Sequence, residues 1–165
     1  MIKLTFDIPP VAQARPRARH IPAKMARAVT SRGIRLQRRK GKTYLYDRKD
    51  VKVFKGQLGM LARNQYKGEP LEGPLMVSLH FYRPSAKVSK KELARRYSGQ
   101  EPPVVKPDLD NYIKSTLDGL TGIIWKDDNC IVKFYDTYKD YSDHPRIELE
   151  VKRWEPKHEK YAGNH

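Results

Sequence analysis

The segment from Val11 to Lys49 carries thirteen lysines and arginines against a single acid, Asp47, and no apolar residue recurs in it with the period of a helix or a strand. Such a stretch cannot bury enough apolar surface to offset the entropy of ordering it, so the chain has to build its core from the residues on either side. It reads as a flexible basic loop thrown out from one domain that spans 1–154, with 155–165 as a solvated tail.

The basic bias extends to the whole chain of 165 residues, whose formal charge is +15. Charge on that scale repels itself in a compact state unless a polyanion compensates, which makes nucleic acid the expected partner. There is no basic amphipathic helix with a broad apolar face, no lipidation motif, no secretory-type leader and no apolar run long enough to span a bilayer. A cytoplasmic protein without a membrane partner is expected. Cys130 is the only cysteine, so no disulfide or thiolate metal cluster forms within one chain, and it reads as a small buried apolar residue. The five histidines are dispersed, His158 and His165 falling in the tail, which argues against a zinc site.

Outside the basic segment the periodicities are plain. Ile2, Leu4 and Phe6 alternate with Lys3, Thr5 and Asp7 before Pro9 and Pro10, the pattern of a half-buried edge strand over 2–8. Val51, Phe54, Leu58, Leu61 and Ala62 recur at helical steps and predict an amphipathic helix between Asp50 and Tyr66. Leu75, Val77, Leu79 and Phe81 predict a strand ended by Pro84, and Lys87–Tyr97 a short surface helix. From Asp108 to Leu120 the residues Leu109, Ile113, Thr116, Leu117 and Leu120 share one helical face, with Gly119 weakening the last turn. Ile131–Lys139 and Arg146–Trp154 carry strand patterns on either side of a polar turn and are expected to pair as a hairpin. The order β-α-β-α-β-β predicts an α+β fold, a roughly four-stranded mixed sheet with two main helices packed on it.

Two acidic groups carry the chemistry. Asp108 and Asp110 fall in the first turn of the second main helix, with Lys114 one turn beyond Asp110. Hydrolysis of a phosphodiester needs an activated water and a screen for the charge developing on the phosphoryl oxygens, and Mg²⁺ held by two or three carboxylates supplies both. The plainer reading is that Asp108 caps the helix while Asp110 and Lys114 form an ordinary i,i+4 pair. Asp127 and Asp128 come after Trp125 in the connection to the next strand. If that strand runs beside the helix and returns to its N-terminus, Asp128 completes a site with Asp108 and Asp110; otherwise the two acids are a solvated turn.

The run KPDLDNYIKSTLDGLTGIIWKDD, Lys106 to Asp128, resembles the signature of the RusA-like Holliday junction resolvases, the crossover junction endodeoxyribonucleases. It joins an Asp-x-Asp-Asn start, a lysine four residues after the second Asp, an Asp-x-Leu near the helix end and a Trp-x-Asp-Asp. Pro9–Arg17 also resembles the segment just after the first strand in many members. The resemblance implies a RusA-like fold and a metal site of Asp108, Asp110 and Asp128, with Asp127 as the alternative neighbour, loaded with Mg²⁺ or, in its place, Mn²⁺. It further implies that Lys114 assists at the phosphate, and that a homodimer cuts opposing strands of a four-way junction by symmetric nicks in DNA recombination and repair. The long basic stretch and the charged insertion around Lys87–Gln100 depart from the compact members.

Arg15, Arg17, Arg19, Arg38, Arg39, Lys40, Lys42 and Lys106 are the candidates for neutralising phosphates, which position DNA without reading its sequence. Tyr44 and Tyr46 read as packed strand residues rather than as rings that stack on bases. Two other functions remain open on these residues: a nuclease with a broader taste for flaps, forks and other branched DNA, and a non-catalytic nucleic-acid-binding protein.

Overall fold

The computed structural model describes residues 1–30 and 33–155, and over 24–39 it describes the backbone alone. Beyond Glu155 the expected tail lies outside the described residues.

The expected α+β architecture is present. Strand β6 (Leu75–Arg83) is its centre: Leu75, Val77, Leu79 and Phe81 point to one face and are wholly buried. On one edge it pairs antiparallel with β9 (Arg146–Arg153), which in turn pairs antiparallel with β1 (Ile2–Phe6). The register lines up apolar rows across the three strands, half-buried Leu4 with buried Leu149 and Leu79, then Phe6 with Ile147 and Phe81, all buried. Directly opposed apolar pairs of this kind hold a sheet in one register, because a slip by one residue would turn the whole set to water.

Helices α1 (Lys49–Gln65) and α3 (Leu109–Leu120) cover that face. Val51, Phe54, Leu58 and Ala62 of α1 are buried as the periodicity predicts. On α3 the buried side is turned: Tyr112, Ser115, Thr116, Gly119 and Leu120 face inward, while Leu109, Ile113 and Leu117 are half-buried at its margin. The cause is the approach of the two helices. A Cβ on Gly119 would lie 3.1 Å from a methyl of Leu58, and one on Gly59 3.3 Å from the Gly119 carbonyl oxygen. The glycine that weakens α3 by propensity is what lets α1 come this close.

Two expectations are corrected. First, the strands flanking Asp140–Pro145 do not form a hairpin. β7 (Ile131–Phe134) and β8 (Tyr138–Tyr141) both run parallel to β6 on its free edge, while β9 lies on the other edge, so β6 is inserted between them. The turn crosses the end of β6, where the Ser142 amide donates to the Arg83 carbonyl at 2.9 Å. A strand with a fully buried face leaves little water for an unpaired edge, and taking partners on both sides satisfies its backbone groups.

Second, the basic segment is not a structureless loop. β2 (Arg17–Ile21) pairs with β5 (Lys42–Tyr46), and β3 (Lys24–Thr30) with β4 (Gly33–Arg39), all antiparallel and none joined to the main sheet. The register continues across the interruption at Pro22 and Gly41, Ile21 facing Lys42 on one side and Lys24 facing Arg39 on the other. The result is a basic arm in two paired ladders. Sequence periodicity misses β2 and β5 because both are exposed throughout, and a ribbon without a covered face needs no apolar alternation.

Helix α2 (Lys90–Tyr97) begins at Ser89, whose hydroxyl accepts from the Glu92 amide at 3.3 Å. Cys130 is half-buried rather than buried and packs at the core's margin. Among the described residues no helix is long and apolar enough to cross a membrane.

Truncating Leu79, at the middle of the buried row, should lower unfolding free energy by about 2–5 kcal/mol. Val132→Ala, on the exposed side of β7, should change it by less than about 0.5 kcal/mol. Urea denaturation of the two variants checks both, and comparable losses would mean that the sheet face has been assigned wrongly.

Candidate active site

The loop entering α3 is held by cations that reach in from the sheet. Arg83, the last residue of β6, donates from Nη1 to the Lys106 carbonyl at 2.9 Å. Lys139 of β8 donates from Nζ to the carbonyls of Val105 and Pro107 at 2.9 and 2.8 Å. The Lys106–Pro107 bond is cis. Asp108 comes next, in the N-cap position with an extended backbone, φ −73° and ψ 151°, yet its side chain makes no capping hydrogen bond. The carboxylate is therefore not spent on the helix.

It faces a cleft of about 600 Å³. Residues 9–14 form one wall, and Arg48, Asp50, Arg83, Lys106, Asn111 and Tyr112 are among the other residues that line it. Arg48 and Asp50 pair at 3.1 Å, leaving Arg83, Lys106 and the positive end of α3 to balance Asp108. A cleft so lined draws an anion while presenting a carboxylate to it, the combination a phosphodiester-cutting site needs. Burial raises the pKa of Tyr112, opposed by the nearby Arg83 charge, so its hydroxyl stays protonated at the back of the cleft.

Asp110, in the first turn of the helix, and Lys114, one turn on, are exposed. Among the described residues they form no ion pair, so the i,i+4 bridge is not what keeps them there; the amide of Asn111 approaches Asp110 only at 3.5 Å. Lys114 instead adds its field to Asp47, the lone acid of the basic segment. Lys55 holds Asp47 at 2.7 Å and Asp118 at 2.8 Å, and Gln13 donates to Asp47 at 2.8 Å. These bonds, that from Lys55 first, hold the Asp47 carboxyl below the ordinary carboxylate value. Burial pushes Lys55 down, but its bonds to Asp118 and Asp47 outweigh that and leave it raised. The network ties the end of the arm to both helices beside the cleft. Its signal in the sequence was a single acid among thirteen bases.

Asp127 and Asp128 lie elsewhere. The chain does return from Cys130 toward the N-terminus of α3, but it is the far end of that return, β8, that arrives there. Asp128 stands before Ile131, which pairs with Leu75 at the start of β6, whereas Asp108 sits by Arg83 at its finish. The run of β6 from Leu75 to Arg83 lies between the two positions. Asp127 accepts the Asn129 amide at 2.9 Å and caps the short turn Asp128–Cys130, while the Asp128 carboxylate is exposed. Among the described residues no three or more His, Cys, Asp or Glu side chains converge as a metal cluster.

Of the candidate DNA contacts, Arg15, Arg17, Arg19, Lys40, Lys42 and Lys106 are exposed, and the side chains of Arg38 and Arg39 lie outside the described residues. Arg17 lines a second cavity, of about 630 Å³, that shares Pro9, Val11, Arg48 and Asp50 with the cleft. Tyr44 and Tyr46 are not packed: they are 51% and 49% exposed.

The family described as Endodeoxyribonuclease RusA matches residues 7–152, nearly the whole described chain. The Uncharacterized protein YqaN of Bacillus subtilis (strain 168) is 32% identical over 154 residues, covering 92% of this chain and 95% of that protein.

A group whose folded pKa is lowered stabilises the fold above its unfolded pKa and loses that contribution as pH falls through the folded value. The advantage of wild type over Asp47→Asn in urea denaturation should therefore be full at pH 7. It should begin to shrink near pH 4, where the unfolded carboxyl titrates, and vanish below the lowered value of Asp47. An advantage that does not change with pH would show that the Lys55–Asp47 bond is not its source.

Proposed function

This chain belongs to the RusA endodeoxyribonuclease family, hydrolases acting on DNA, and from that premise we propose that it resolves four-way DNA junctions by paired symmetric nicks during recombination and repair. The observation that carries this reading is the Asp108 carboxylate, left uncapped in a cleft lined by Arg48, Arg83 and Lys106. It speaks against a binding protein in which the acids serve only to cap a helix.

The first turn of α3 fits Mg²⁺. It offers two hard oxygen donors, Asp108 and Asp110, both exposed and outside any ion pair among the described residues. Mg²⁺ is commonly held by one or two carboxylates and completed by water and substrate phosphate. When bound, the ion would lower the pKa of a water and screen the phosphoryl oxygens; Mn²⁺ would serve similarly. The chain's own groups do the rest. Arg83 and Lys106 hold the phosphate, Arg48 and Asp50 shape the wall, and Lys114 offsets negative charge one turn along the helix. Arg15, Arg17, Arg19, Arg38, Arg39 and Lys40 carry the DNA strands to the cleft.

The protein acts as a homodimer, because two cuts placed symmetrically on a junction call for two sites related by a two-fold axis. The same pairing gives Asp128 its role. Unspent on capping, unlike Asp127, and at the opposite end of β6, it serves as a third carboxylate by approaching the cleft of the second copy. The exposed arm supports a second reading, a nuclease that accepts flaps and forks as well as four-way junctions.

End-labelled four-way junction, flap, fork and linear duplex, each incubated with and without Mg²⁺, separate these readings. Paired nicks at symmetric positions on the junction, dependent on the metal, are expected. Asp110→Asn should cut on the order of 100-fold more slowly. It should still bind the junction, since losing a carboxylate removes repulsion from phosphate. Equal cutting by the variant would sink the assignment, and equal cutting of flap and junction would favour the broader nuclease.

A further inference from the structure

The ribbon formed by β2 and β5 sorts its side chains by chemistry. Directly paired residues of an antiparallel ladder share a face and successive pairs alternate. Arg17 with Tyr46, Arg19 with Tyr44 and Ile21 with Lys42 therefore stand on one face, and Ala18 with Leu45 and His20 with Thr43 on the other. The hydrogen bond between His20 Nδ1 and the Thr43 hydroxyl, 3.1 Å, confirms the second set. Both strands are exposed throughout, neither contains an acid, and neither pairs with the main sheet. Two rings about half exposed are thus interleaved with three cations on one surface. Core packing does not explain them.

We propose that this face binds unpaired bases of the DNA, Tyr44 and Tyr46 stacking on them while Arg17, Arg19 and Lys42 neutralise the adjoining phosphates. A tyrosine ring stacks only on a base whose face is free, which singles out the nucleotides at a branch point or in a single strand over those inside a duplex. The charge is complementary to a strand and to nothing apolar. The place is also suited to the task. Arg17 leads directly into the cavity adjoining the Asp108 cleft, so bases held on the ribbon lie on the path of a strand entering that cleft. The inference rests on the junction reading for its substrate and adds to it how the branch is recognised.

The test uses the full chain in EDTA, so that binding is read without cleavage. The probes are a fluorescent oligothymidylate, a linear duplex of matched length, and a four-way junction with 2-aminopurine at the branch. Tyr44→Ala/Tyr46→Ala should weaken oligothymidylate binding about tenfold or more. It should leave the slope of log K against log salt unchanged, because no charge is lost, and it should abolish the quenching of 2-aminopurine seen with wild type. Tyr44→Phe/Tyr46→Phe keeps the rings and should bind as wild type, whereas Arg17→Gln/Arg19→Gln should flatten the slope by about 1.4. Duplex affinity should move by less than twofold in the alanine variant. No loss on oligothymidylate, or an equal loss on duplex, overturns the proposal. Nicking of the junction by wild type in Mg²⁺ is scored separately. Nicking without stacking sinks this inference alone, and stacking without nicking sinks the junction reading while leaving the ribbon as a single-strand binder.

Discussion

The double pairing of β6 is the constraint on which the other placements depend. Its inward face is wholly buried, so its backbone groups are satisfied within the sheet, by β9 on one edge and by β7 and β8 on the other. That arrangement fixes where the strand ends and what stands beside its end. Arg83 and Lys139, from β6 and its parallel neighbour, grip three successive carbonyls ahead of α3, and the helix starts with Asp108 over the cleft as a result. The helix is then held from above by α1 through the close approach at Gly59 and Gly119. The site is a product of the sheet's edge order more than of local helix chemistry.

Electrostatics divides the molecule in two. Around the core, charges are largely paired: Lys55 bridges Asp47 and Asp118, and Glu150, bonded first by Lys152 and then by Lys3 and Tyr135, is held down to about 2. β2 and β5, by contrast, hold no acid at all, and Arg17, Arg19 and Lys42 form no ion pair among the described residues. Positive charge placed this way costs stability until a polyanion arrives, and it draws that polyanion at long range. Asp47 joins the two regimes, because it anchors the arm's last residues to helices that also frame the cleft.

The sequence showed most of the core and only part of the site. α1, β6, β9 and β1 were legible because each buries one face, which writes its period into the apolar residues. The position of β6 between β8 and β9 was not, since a hairpin and a split pair have the same strand patterns and differ only in a neighbour supplied from elsewhere in the chain. The ribbon of β2 and β5 was invisible for the opposite reason: with both strands exposed throughout, none of their residues had to be apolar, and Tyr44 and Tyr46 looked like packing residues until their exposure was seen. Asp108, Asp110 and Lys114 were readable as one group because helical spacing joins them. Asp128 needed a tertiary assumption, and the parallel return of β7 and β8 places it at the far end of β6.

The proposed place for the divalent ion is the first turn of α3. Titrating Mn²⁺ into ¹⁵N-labelled protein and monitoring paramagnetic broadening of its amides tests this most directly. The earliest broadening is expected at Asp108–Asn111, with the turn at Asp128 affected alongside it through the second copy, and both should be lost in Asp110→Asn. Broadening centred on other acids, or unchanged in Asp110→Asn, would contradict it.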